Sequence, residues 1–260
     1  VIVDAGLGAA GLLRRPVSGR VVSVHRKAAY LRFGDALVAL VAPGVEPGPV
    51  HVRCTTLPPC RVGEAVTGDG SRLAGRQWAL RGPGAVWWGT SPGPLELAAR
   101  DDALVREALV PGEVIVAAAR ALGSGLDALV GAVGGRGPGL TPAGDDVLAG
   151  VVLVDRAAGG PAVEERLTAV CASVPTTEVA RAFLAWAARG QSVAPAHDWL
   201  GAVAAGDRDA ASRALARLHA LGADSGRHLA AGMALGLGQL PRVVSQTARA
   251  DAGPGLRHRV

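Results

Sequence analysis

At Ser91-Pro92-Gly93-Pro94 the hydrophobic rhythm of this chain changes, and that change limits what it can fold into more than any other feature. Upstream, segments 20–25, 29–33 and 36–41 read as strands, with the last two joined as a hairpin across Gly34-Asp35. Segments 49–54 and 77–80 add further strands, and Pro43, Pro47, Pro58 and Pro59 mark turns between them. Downstream, Leu95, Leu97, Leu104, Leu109 and Val110 fall at helical spacing, followed by 114–122 and 126–130. Helices are then expected over 142–157, 162–173, 177–189, 197–205, 208–221 and 225–240. Gly159-Gly160-Pro161, Pro175, Gly190, Pro195, Gly206-Asp207, Gly222 and Pro241 punctuate them. The class is α+β: a β-rich domain over 15–92, a mainly α-helical domain over 93–243, and a Gly/Arg-rich flexible tail over 244–260.

Composition narrows the function. With 260 residues and 49% hydrophobic content the chain can bury a substantial core. Only 3% of residues are aromatic while 37 are glycine, so backbones are expected to pack closely. The net charge of +5 comes from scattered arginines, Lys27 being the only lysine. No basic run, zinc-finger spacing or basic-aromatic interleaving supports nucleic-acid binding. Cys54, Cys60 and Cys171 make neither a CxxC pair nor an even disulfide framework, which points to a reducing compartment. No apolar run has membrane-spanning length and no leader-like segment is visible, so a soluble cytoplasmic protein is expected. The P-loop, GxSxG and HExxH motifs are missing, as is the Ser-Thr-Arg-Thr phosphate signature of familiar carbamoyltransferases.

Chemistry concentrates in Gly137-Pro138-Gly139-Leu140-Thr141-Pro142-Ala143-Gly144-Asp145-Asp146. Thr141 and Pro142 read as the N-cap and first residue of a helix. Capping leaves Gly137, Gly139 and Gly144 unexplained; together they suggest exposed backbone amides at a helix mouth, an arrangement that suits anions. Asp145 and Asp146 point about 100° apart on a helix, so one can anchor while the other addresses a ligand. They are the candidate catalytic pair, able to accept amide N–H groups or to hold Mg²⁺ as a cofactor.

A second mouth, Leu221-Gly222-Ala223-Asp224-Ser225-Gly226, reads first as a cap at Asp224 or Ser225. It becomes a site only if the two mouths converge, with Arg227 and His228 available to a carboxylate or phosphate. Thr176 and Thr177 read first as the cap of the helix after Pro175 and second as ligand contacts. His25-Arg26-Lys27 reads as a solvated strand end, and Cys171 as a core thiol.

The segment Gly137 to Gly150, GPGLTPAGDDVLAG, resembles the GLTPSGDD-type signature of the oxamate carbamoyltransferase subunit family of bacterial ureide degradation. Residues 19–33 resemble the family's amino-terminal strands and 221–237 its carboxy-terminal glycine helix. The resemblance implies a subunit working with companion chains on a small ureide or phosphate ligand. The reaction would exchange a carbamoyl group between oxalurate and phosphate, with amides at Gly139, Gly144 and Gly226 stabilising an oxyanion. Ala180, Ala223, Asp224 and His228 depart from the pattern. They leave open a non-catalytic partner-binding subunit or a stand-alone anion-binding protein of changed specificity.

Overall fold

The computed structural model describes residues 1–82 and 84–241 and has the expected α+β class. Its strands are β1 (Ile2–Gly6), β2 (Pro16–Val24), β3 (Ala28–Phe33), β4 (Ala36–Val41), β5 (His51–Cys54), β6 (Ala65–Asp69), β7 (Arg72–Ala74), β8 (Ala79–Arg81) and β9 (Ala85–Trp87). They form one sheet in the order β8-β7-β6-β2-β3-β4-β5-β1-β9. The β3–β4 hairpin pairs Ala28 with Val41 and Phe33 with Ala36, turning through Gly34 at φ +60°. Because side chains alternate across a strand, Ala28, Tyr30 and Val41 share one face. β5 runs parallel to β4, so the intervening loop must cross the sheet end before the chain can re-enter.

The sheet starts well before residue 15. β1 pairs with β5 and β9, and the short helix α1 (Leu7–Leu13) buries Ala9, Ala10, Leu12 and Leu13 in the sheet's core. The alternation test missed β1 because four of its five residues are buried, which removes the polar face the test relies on.

The helices that follow are α2 (Pro94–Ala98), α3 (Asp102–Glu107), α4 (Glu113–Leu122), α5 (Leu126–Val133), α6 (Ala143–Gly159), α7 (Glu164–Ser173), α8 (Glu178–Ala187), α9 (Ala194–Ala205), α10 (Arg208–His219) and α11 (Ser225–Gln239). The tail expected over 244–260 lies outside the described residues. At the centre is α6, with every residue from Val147 to Val154 buried. Against it lies α11, with Gly232 over Val147, Gly150 against the Met233 amide and Gly236 over Val154. Positions rise together along the two helices, so they run parallel and both amino-terminal mouths lie at one end.

A buried histidine ties the segment after β9 to α9. His197 Nε2 accepts the Ser192 N–H at 3.0 Å, which places the ring proton on Nδ1, 3.0 Å from the Ser91 hydroxyl. This tautomer donates to Ser91, so the pair is a clamp and cannot be a nucleophile with its base. His197 is 4% exposed, and burial lowers its pKa to about 4. An unfolded histidine takes its proton near pH 6.5, so stability present above that pH is lost as pH falls toward 4. The loss at pH 4.5 is about 2 kcal/mol. Urea unfolding at pH 7 and 4.5 should therefore show an acid loss smaller by about this amount in His197→Gln; equal losses in both proteins would refute the assignment.

Candidate functional site

The two helix mouths begin differently from the simplest capping pattern. Pro142, not Thr141, occupies the cap position of α6, and its carbonyl accepts the Asp145 and Asp146 amides at 2.9 and 3.1 Å. At α11 the Asp224 carbonyl accepts the Arg227 and His228 amides at 3.0 and 3.1 Å, with no side-chain cap. Thr141 is thus not the cap of α6, while Asp224 holds the expected cap position of α11 without a side-chain hydrogen bond. With backbone carbonyls serving the first turns, the Thr141 and Ser225 hydroxyls turn to each other across the mouths, 2.7 Å apart. The cap expected at Thr177 is present: its Oγ1 accepts the Ala180 amide at 3.0 Å and donates to the Leu140 carbonyl.

The adjacent aspartates divide. Asp145 is 2% exposed, and its Oδ1 accepts the Gly135 amide at 2.7 Å while Oδ2 accepts the Thr176 hydroxyl. It binds the glycine loop and the α7–α8 turn to α6. Asp146, one residue on, lines a cleft of about 420 Å³ between the sheet and the helices. Its Oδ2 is shielded from solvent and has no hydrogen-bond partner among the described residues. Burial holds the Asp146 carboxyl well above the usual carboxylate range; the Ser225 hydroxyl opposes this, the Asp145 charge adds to it and the Thr141 hydroxyl opposes it. Burial thus disfavours the ionised form, and a protonated carboxyl both donates and accepts.

The cleft's sheet wall carries Lys27, Ala28, Tyr30 and Val41, and its helical wall Ala149, Phe183, Ala187 and Leu229. The β4–β5 loop closes one side through Gly44, Val45 and Glu46. Glu46 is held by Arg217 at 2.8 and 2.7 Å, and Arg217 also reaches Asp198 at 2.6 Å. His51 supports this loop through a 2.9 Å contact between Nδ1 and the Glu46 carbonyl, and burial keeps its pKa low and the ring neutral. Burial and then the Asp146 charge push the Tyr30 hydroxyl pKa up. Lys27 is exposed and has no ion-pair partner among the described residues.

From α5 to α11, residues 129–237 match the model of a family described as oxamate carbamoyltransferase subunit AllH. That stretch is similar to AllH-family proteins. It contains both mouths, both aspartates and the Thr176-Thr177 pair, while all nine strands of the described residues lie outside it. The family's description is that of a subunit of oxamate carbamoyltransferase. No match is found among curated proteins or among solved structures.

Within the matched region, Thr141, Asp146, Ser225 and Gly226 line the cleft, and the other expected residues do not. Gly137 and Gly139 sit in the exposed loop at φ +119° and +94°, where left-handed backbone itself demands glycine. A Cβ at Gly144 would stand 1.8 Å from the Val133 carbonyl oxygen, and one at Gly226 1.7 Å from that of Leu218. Their amides donate to the Arg136 and Leu221 carbonyls, so neither is free as an oxyanion donor. Asp224 is exposed, His228 is half-buried, and Thr176 and Thr177 fasten loops.

The aspartate pair also does not fit Mg²⁺. Both Asp145 oxygens already accept protein donors, and no group of three His, Cys, Asp or Glu side chains gathers among the described residues. Burial holds the Cys171 thiol at about 12, in keeping with its core assignment. Among the described residues no helix is long and apolar enough to cross a membrane. Sequence reasoning missed Lys27, Tyr30, Phe183 and the Glu46–Arg217 pair as parts of the site; the one available signal was that Lys27 is the chain's only lysine.

Proposed function

We propose that this chain is a subunit of an oxamate carbamoyltransferase-like enzyme and that the cleft between the sheet and the α6 and α11 mouths binds its ureido substrate. One observation carries the reading: Thr141 and Ser225 meet at 2.7 Å beside Asp146, joining two distant parts of the matched region at one cavity. Asp146 and the two hydroxyls offer donors and acceptors to a ureido group, and Lys27 offers a cation to the carboxylate of oxalurate.

In the transfer, a phosphate oxygen attacks the terminal ureido carbon and the bond from that carbon to the oxamate nitrogen breaks. The nitrogen takes a proton, and oxamate and carbamoyl phosphate result. A protonated Asp146 would supply that proton as general acid. A second arrangement, in which this chain binds ligand while a companion performs the transfer, is favoured by exposed Trp88 and Leu95, at 58% and 78%. Three buried, free cysteines support a reducing compartment, and the cytoplasm is the proposed location.

Thermal melts of the purified chain with oxalurate, oxamate, carbamoyl phosphate or phosphate test the site. Ligand at about 100 times its Kd adds about 2.7 kcal/mol, which raises Tm by roughly 5–11 °C for a protein of this size. The rise should vanish in Asp146→Asn. An unchanged rise in that variant, or none with any ligand, sinks the assignment. Carbamoyl phosphate formation after companion subunits are added then separates the catalytic from the binding reading.

A further inference from the structure

The cleft is larger and more apolar than oxalurate requires. At about 420 Å³ it falls within the roughly 300–1,000 Å³ of sites that enclose drug-sized ligands, whereas oxalurate is small and polar from end to end. Such a molecule would leave Val41, Phe183 and Leu229 facing trapped water, forfeiting the burial those walls offer.

The polar groups fall into two separate sets. Asp146, with an unpartnered and solvent-shielded Oδ2, stands with the Thr141 and Ser225 hydroxyls at the inner end. Lys27 is an exposed lining residue whose charge is not matched by an ion pair among the described residues. The other lining cation, Arg217, already binds Glu46 and Asp198. A ligand satisfying all of these surfaces carries an amide-type group able to donate and accept, one carboxylate, and an apolar substituent.

We infer that the cleft takes N-carbamoyl α-amino acids with apolar side chains, the ureido group on Asp146, Thr141 and Ser225, the carboxylate on Lys27, and the side chain against Val41, Phe183 and Leu229. This rests on the reading of the cleft as the ureide site and widens its ligand class. Such compounds keep the ureido and carboxylate groups of oxalurate while filling the apolar remainder of the cavity. Of the cluster Glu46, Arg217 and Asp198, only Glu46 and Arg217 line the cleft, and their opposite charges offset each other against a monoanion.

Calorimetric titration of the full chain with N-carbamoyl-leucine, N-carbamoylglycine, oxalurate and N-carbamoyl-leucinamide decides the matter. N-carbamoyl-leucine should bind at least about tenfold more tightly than N-carbamoylglycine, the gain expected from burying a leucine side chain. Lys27→Gln, a change at an exposed position, should weaken N-carbamoyl-leucine by about three- to fivefold and leave N-carbamoyl-leucinamide unaffected. Equal binding of the glycine and leucine compounds overturns the inference, as does equal weakening of acid and amide by Lys27→Gln. Binding of oxalurate alone overturns it while preserving the ureide-site reading. Binding of none of the four overturns both.

Discussion

Replacing Gly232 with alanine should destabilise the protein by about 3 kcal/mol, lowering Tm by roughly 6–12 °C. The added Cβ would stand 2.1 Å from the Val147 carbonyl oxygen and under 3 Å from that residue's carbonyl carbon and Cα. These are backbone atoms of α6, so no side-chain rotation relieves the overlap. Either helix would have to move by about 1 Å, in an interior packed as densely as a crystal, where Val147 to Val154 are all buried. The reciprocal contact makes the same demand: a Cβ at Gly150 would stand 2.3 Å from the Leu229 carbonyl oxygen. Displacing α11 also draws Ser225 away from Thr141, so ligand affinity should fall with stability. Gly201→Ala is the control, because it lies within α9 with no atom within 4 Å of its added Cβ. It should stabilise by about 1 kcal/mol through helix propensity. If chemical denaturation ranks the two variants together, the parallel backbone contact that aligns the mouths is wrong.

Those glycines mark the boundary between what the sequence discloses and what it hides. A chain rich in glycine and poor in aromatics has to pack backbone on backbone somewhere, but only the fold identifies Gly150 and Gly232 as the crossing. Alternation revealed β4 at its observed bounds, whereas β1 was buried too completely to alternate and β7 and β9, three residues each, are too short to show a period. Gly and Pro punctuation placed α6 to α11 to within a few residues because helix ends are set locally. The site is different. Thr141 looked like a cap because its local chemistry is that of a cap, yet its partner is Ser225, 84 positions away. Lys27, Tyr30 and Glu46 enter the cleft only because the sheet faces the helix mouths, and no local pattern encodes that approach.

The Asp145-Asp146 pair gives the sharpest test, since the two carboxyls should fail in opposite ways. Asp145→Ala should cost about 3 kcal/mol by leaving the half-buried Gly135 amide and Thr176 hydroxyl without their acceptors. Asp145→Asn should cost about 1 kcal/mol, because the amide oxygen can still accept from Gly135 while its NH₂ donates to Thr176. The fraction that folds should still bind ligand in both. Asp146→Asn should leave stability unchanged or raise it, for it removes a carboxyl whose ionised form burial disfavours, and it should abolish the ligand response. The sign of the pH dependence separates this from a packing effect. Folded Asp146 holds its proton above the pH at which the unfolded chain releases one, so its contribution to stability declines as pH rises beyond the ordinary carboxylate range. The asparagine variant lacks that decline, and its advantage over the parent should grow toward neutral pH. A comparable loss of stability in Asp146→Asn and Asp145→Ala would mean that both side chains are structural anchors, and the cleft would lose its acid. The opposite result would show why the helix begins with two carboxyls: Asp145 fixes the loop and the α7–α8 turn, and that fixed frame holds Asp146 at the junction of the mouths with one oxygen left unpaired for a ligand.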